Sequence, residues 1–328
     1  MPDSFAPLVT QPPYFRFVER RKGRPIAAAI ELMLRMTLKR ISPGTVGIGG
    51  VRRIVAQLDR RLGTPDRQAS ISRQPWEHVP LEWLDVPQSR PDRVFLYLHG
   101  GAFALRLPTL QTAMVARWCK ALGARALMPR YRLAPENPFP AGADDCLAAY
   151  EWLLERVGDA RRIVIAGDSA GGNFALVTLL RARDAGLPLP AAAVCLSPVV
   201  DFSLSGRSAV VNEESDPMFT TRLLRWFGEL YLDDPELLMS PYVSPLVGDF
   251  TGLPPLLFQA GTNEMLLDDS TRAAAKAHAA GVPVRLDVFD GMPHVFQAIP
   301  QFPAAQVADA SLYEFLGRHA GWTTTFAN

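Results

Sequence analysis

Gly167-Asp168-Ser169-Ala170-Gly171-Gly172 sets a serine among small residues, directly after the apolar run Ile163 to Ala166 and before a helix-like stretch. A strand, a sharp turn and a helix in that order make a nucleophile elbow. The turn projects the hydroxyl into a cleft, and the helix N-terminus aims its amides at developing negative charge. Acyl transfer through a serine also needs N–H donors for the oxyanion. His99-Gly100-Gly101-Ala102-Phe103 follows the strand-like Val94 to Leu98, and its glycines let the backbone come close to a reacting carbonyl. The expected oxyanion donors are the amides of Gly101 and Ala102, joined by that of Ala170.

A serine nucleophile requires a base, and the chain has five histidines. His78 precedes the alternating region, His99 belongs to the glycine loop, His278 sits in an Ala-rich helix-like stretch and His319 is close to the end. His294, in Asp290-Gly291-Met292-Pro293-His294, follows the last strand-like run on a turn-rich loop and is the expected general base. The acid that orients it is sought after Leu256 to Gln259, where Glu264, Asp268 and Asp269 stand. Glu264 lies nearest the strand end and is preferred. Asp268 is the alternate, although the start of a helix is also where carboxylates cap and solvate.

These residues need a scaffold that brings loops to one edge. Short apolar runs at Val94 to Leu98, Ala124 to Met128, Ile163 to Ala166, Ala191 to Leu196, Pro255 to Gln259 and Val284 to Val288 alternate with helix-like stretches at 109–122, 144–157 and 171–185. That alternation predicts an α/β fold, a mostly parallel sheet flanked by helices. Two further helices are expected at 26–40 and 51–62. The segment 202–250 breaks the rhythm with four prolines and the exposed-looking aromatics Phe219, Trp226, Phe227 and Tyr231. The division expected is N-terminal helices over 1–74, a catalytic unit over 75–201 and 250–328, and an insertion over 202–249 that joins the N-terminal helices as a cap. Phe103, Phe219, Leu223 and Phe227 are the candidate lining of an acyl pocket. Asp168 and Arg132 are expected to make structural bonds.

Composition bounds the rest. With 328 residues, 48% of them hydrophobic, the chain can bury a full core. A net charge of +1 gives no nucleic-acid signature, but residues 1–64 carry twelve Lys/Arg against four Asp/Glu. The three cysteines are widely spaced and suggest neither a disulfide framework nor a metal site. With no secretory leader in evidence and no apolar run long enough to span a bilayer, the protein reads as soluble and cytoplasmic. Arg16, Arg20, Arg21, Lys22 and Arg24 read first as a solvated, charged cap face, and second as a peripheral contact with a membrane surface.

Taken together, His99-Gly100-Gly101, Tyr131-Arg132-Leu133-Ala134-Pro135-Glu136, Pro138-Phe139-Pro140-Ala141, the Gly167 to Gly172 elbow and Leu196-Ser197-Pro198 resemble the hormone-sensitive-lipase family of esterases over residues 75–320. The resemblance implies an α/β-hydrolase fold with an eight-stranded, mostly parallel sheet and a helical cap. It also implies hydrolysis of short- to medium-chain acyl esters through a Ser-His-acid triad, with no cofactor and no metal. Two positions depart from the family pattern. Ala102 replaces a third glycine and narrows the space beside the acyl group, and Glu264-Met265-Leu266 stands where Asp-Pro-Leu is common. Residue types do not separate an esterase from an amidase or deacetylase. A non-catalytic binder is disfavoured by the complete residue set, and a homodimer is left open.

Overall fold

The computed structural model describes residues 11–19, 25–76 and 79–325. In chain order it contains β1 (Phe15–Val18), α1 (Pro25–Thr37), α2 (Ile48–Leu62), β2 (Ser70–Gln74), β3 (Leu81–Asp85), β4 (Val94–Leu98), α3 (Pro108–Leu122), β5 (Arg125–Pro129) and α4 (Ala141–Val157). There follow β6 (Ile163–Asp168), α5 (Ala170–Asp184), β7 (Ala192–Leu196), α6 (Ser208–Val211), α7 (Thr221–Tyr231), β8 (Leu256–Gly261), α8 (Leu267–Ala279), β9 (Val284–Phe289) and α9 (Pro303–His319).

The strands form a single sheet in the order β1-β9-β8-β7-β6-β4-β5-β3-β2, antiparallel only where β3 meets β2 and β5. Every residue of β4, β6, β7 and β8 is buried, as expected of parallel strands covered on both faces. Alternation divides their side chains between two cores. Leu96, Leu98, Ile165 and Phe258 pack with α4, α5 and α8, whereas Phe95, Tyr97, Val164 and Leu257 pack with α3 and α9.

The sheet has nine strands, against the eight implied by the resemblance. The additional strand, β1, pairs in parallel with β9, and both β1 and β2 fall in the stretch 1–74 assigned to helices. Neither carries a strong strand signal: β1 has four residues, and β2 is the polar edge Ser-Ile-Ser-Arg-Gln. The helices expected at 26–40 and 51–62 appear as α1, ending in a short 3₁₀ turn at Leu38–Arg40, and α2.

Chain direction within the sheet reverses at β4. Its successor β5 lies on one side, and β6 crosses back to the other, from which β7, β8 and β9 continue outward. A crevice opens at the carboxyl ends of strands where the winding reverses. The glycine loop leaves β4 and the serine turn leaves β6 there.

Candidate active site

Ser169 sits between β6 and α5 with φ 54° and ψ −117°, a conformation costly for a residue with a side chain. Its neighbours make the turn possible. A Cβ on Gly167 would lie 2.2 Å from the carbonyl oxygen of Gly171, and one on Gly171 would lie 1.9 Å from that of Leu98. The turn is anchored by the Ser169 amide, which donates to the Leu196 oxygen at 2.8 Å.

Beside it, the loop after β4 runs through three consecutive positive φ values, at Gly101, Ala102 and Phe103. The amides of Gly101, Ala102 and Ala170 donate to no protein group among the described residues. For Ala170 this follows from its place in the first helical turn, where amides have no intrahelical partner. Asp168 locks the loop to the elbow. Its buried carboxylate accepts the Tyr97 hydroxyl, the Gly100 amide at 2.8 Å and the Gln111 side-chain amide at 3.3 Å. Burial raises its pKa, and these donors partly offset the rise. Arg132 binds Asp145 through both its guanidinium and its backbone amide. Asp168 and Arg132 thus make the structural bonds expected of them.

His294 is buried, and its Nδ1 lies 2.6 Å from Oε2 of Glu264. An imidazole that gives its Nδ1 proton to a carboxylate leaves Nε2 as the acceptor. That Nε2 is buried and without a hydrogen-bond partner. Glu264 is fully buried, and its other oxygen accepts the Gly261 amide at 2.7 Å and the Ser197 hydroxyl at 3.0 Å. Asp268, the alternate acid, is engaged elsewhere: Oδ2 accepts the Ser208 amide at 2.9 Å. Asp269 likewise accepts the amides of Val200 and Asp201. The other histidines stand apart. His99 stacks on Tyr131 and is held neutral, because burial pushes its pKa down to about 3. His278 is exposed on α8, His319 ends α9, and His78 lies outside the described residues.

Two cavities meet at Ser169, sharing Ala102, Phe219 and Phe227 in their walls. The narrower, of about 120 Å³, also holds His294 and Leu223 and is lined by Leu34 of α1 and Val55 of α2. The wider, of about 400 Å³, runs past Phe202, Arg225 and Glu229. The Phe219 ring meets the His294 ring edge-on at 5.0 Å. Phe103, also expected in the pocket, belongs to the wider cavity at Ser169. It is absent from the narrow one and stacks on Tyr231 at 4.1 Å. Tyr231 and Phe227, expected exposed, are buried, because α7 turns its apolar face inward onto this cluster.

Ser197 was not singled out as a site residue. Its hydroxyl joins Glu264 to the Val295 amide, and its φ of 45° is the strained backbone that allows this. The signal available was its place in Leu196-Ser197-Pro198 at the end of an apolar run.

Residues 95–298 match the family described as alpha/beta hydrolase fold. The chain belongs to that family, on its hormone-sensitive-lipase branch. It is 42% identical over 221 residues to an acetyl-hydrolase of Streptomyces hygroscopicus, covering 67% of this chain and 73% of that protein. It is 30% identical to an esterase of Acinetobacter venetianus, covering 87% and 94%. The crystal structure of an esterase from the bacterial hormone-sensitive lipase family superposes with a TM-score of 0.85 at 38% identity, covering 92% of this chain and all of that one. This family member is an enzyme, a hydrolase of the esterase kind. Among its described residues no helix is long and apolar enough to cross a membrane.

Proposed function

We propose that the protein is a carboxylesterase for short- to medium-chain acyl esters, with Ser169 as nucleophile, His294 as general base and Glu264 as the acid that orients it. The observation that carries this is the buried His294 Nδ1 to Glu264 Oε2 bond of 2.6 Å, with an unpartnered Nε2 in the cavity that also exposes Ser169. In the first half-reaction His294 takes the Ser169 proton as the oxygen attacks the ester carbonyl. The free amides of Gly101, Ala102 and Ala170 receive the oxyanion, and the protonated His294 returns the proton to the departing alcohol. Water then attacks the acyl-enzyme by the same route and releases the acid. The bond between Ser169 Oγ and His294 is not formed in the resting protein, in keeping with sites that tighten only around substrate.

The narrow cavity suits the acyl chain and the wider, more polar one the alcohol. α1, α2 and the 202–249 segment act as the cap, since Leu34, Val55, Leu223 and Phe227 close the space over Ser169. The relatives named acetyl-hydrolase and esterase support the substrate class. A peripheral membrane contact draws support from Ile26, Leu32 and Met36 on the outer face of α1, each at least half exposed. Arg20, Arg21, Lys22 and Arg24, named for that contact, lie outside the described residues. Sedimentation with anionic vesicles tests it.

The deciding experiment measures initial rates on nitrophenyl esters from acetyl to palmitoyl, alongside the matched anilides. The expected result is activity peaking at short or medium chains, weak on anilides, and reduced at least about ten-thousandfold in Ser169→Ala. Preference for the anilides would make the enzyme an amidase.

A further inference from the structure

A second buried carboxylate joins the α6–α7 segment to the loop that carries Glu264. Asp216 is fully buried. Its Oδ1 accepts the amides of Met218 at 2.7 Å and Phe219 at 3.0 Å, and its Oδ2 accepts the Met265 amide at 2.9 Å. One oxygen therefore fixes the ring that packs on His294, and the other fixes the residue that follows Glu264. Parallel bonds reinforce the junction. Asn212 Nδ2 donates to the backbone oxygens of Thr262 at 3.0 Å and Glu264 at 2.9 Å, and the Ser208 hydroxyl donates to that of Met265 at 2.8 Å. From the other side, the Lys39 ammonium donates to the backbone oxygens of Glu213, Glu214 and Asp216, and Arg35 donates to those of Glu214 and Ser215.

Residue chemistry explains why a carboxylate stands here. Three amides converge on it from two loops, and a carboxylate can accept on both of its oxygens. An asparagine could satisfy the two amides on one side, but its NH₂ would then face the N–H on the other. Burying the charge is costly, and the hydrogen bonds it accepts are the compensation. Burial correspondingly raises the pKa of Asp216, opposed by those same amides.

We propose that Asp216 is a positioning residue for ester hydrolysis, setting the substrate-facing Phe219 and the His294–Glu264 pair in register through one carboxylate. This rests on the esterase reading of the site. The test compares wild type, Asp216→Asn and Lys39→Met by kcat, KM and acyl-chain profile at a temperature well below their melting points. The low-field proton resonance of His294 Nδ1 is followed in the same proteins.

Asp216→Asn should lower kcat about tenfold or more, because loosened geometry at reacting groups is expensive. It should also alter the chain-length optimum through Phe219 and broaden the His294 resonance. Lys39→Met, which loosens the same segment from outside and spares the carboxylate, should give a smaller change in the same direction, and it decides the matter if Asp216→Asn does not fold. A folded Asp216→Asn with kcat and chain profile within about twofold of wild type and an unchanged resonance would overturn the proposal. Should wild type hydrolyse no ester, the esterase reading fails, while the resonance still reports whether Asp216 holds the pair.

Discussion

The two sides of the cavity are built differently. Below it, the turns that carry Ser169 and the glycine loop leave strands with no exposed residue, and they are held by backbone bonds and the buried Asp168 carboxylate. Above it, α1 and α2 bury Ile30, Leu34, Val51 and Val55, and cations of these helices and of the turn after α1 also reach across to backbone oxygens. Arg52 binds those of Ala104 and Ala134, and Lys39 and Arg35 bind the 213–216 segment. The upper side also leaves Leu32, Met36, Val210 and Val211 more than half exposed. Bond formation tolerates little misplacement, and the turns at Ser169 and the glycine loop leave fully buried strands. Substrate selection needs a surface that can change without disturbing them.

The sharpest challenge to that contrast lies below the cavity. Glu264→Gln should cost about a thousandfold or more in kcat, through loss of His294 orientation and of the charge that stabilises its protonated form. Asp268→Asn, one helical turn away, should stay within a few-fold, and steady-state kinetics of the pair separates the two acids. Above the cavity, Phe227→Ala should move the optimum toward longer acyl chains while kcat on the best substrate changes less than about tenfold. If Phe227→Ala instead abolished turnover on all chains, the division between chemistry and selection would be wrong.

Charge contributes smaller effects. Burial raises the pKa of Asp269 to about 7, against the amides of Val200 and Asp201 that lower it. A carboxyl whose folded pKa is raised contributes stability fully below its unfolded pKa near 4, and that contribution is lost as pH rises through about 7. Asp269→Asn keeps a neutral group throughout, so its stability relative to wild type should rise between pH 5 and pH 8 in urea unfolding. The smallest effect belongs to the link between α2 and the sheet domain. Hydrogen bonds from Arg52 hold the Glu136 pKa down to about 2. The stabilisation is present above the unfolded pKa near 4.3 and lost as pH falls through about 2. Both side chains are substantially exposed, so Glu136→Gln should cost under about 1 kcal/mol near neutral pH.

Much of the lower side was readable from contiguous residues. The elbow and the glycine loop are local devices, in which a strand, a tight turn and small residues lie within ten positions. Burial of both faces also made the central strands continuous apolar runs. Edge strand β1 escaped because it has only four residues, and β2 because its sequence is polar. Tyr231 and Phe227 were expected on the surface and are buried, because aromatic residues read alike whether they face solvent or stack on one another.

Local order along the chain already pointed to Ser169 and to the amides of Gly101, Ala102 and Ala170, whose turns are shaped by their own neighbours, and it pointed to His294 by loop position and the elimination of the other histidines. The bond that joins Glu264 to His294, the Ser197 bridge and the junction at Asp216 depended on which groups packing brings within 3.3 Å across separations of 30 to 98 residues. A carboxylate's role is set by the donors that face it, and those donors come from other loops.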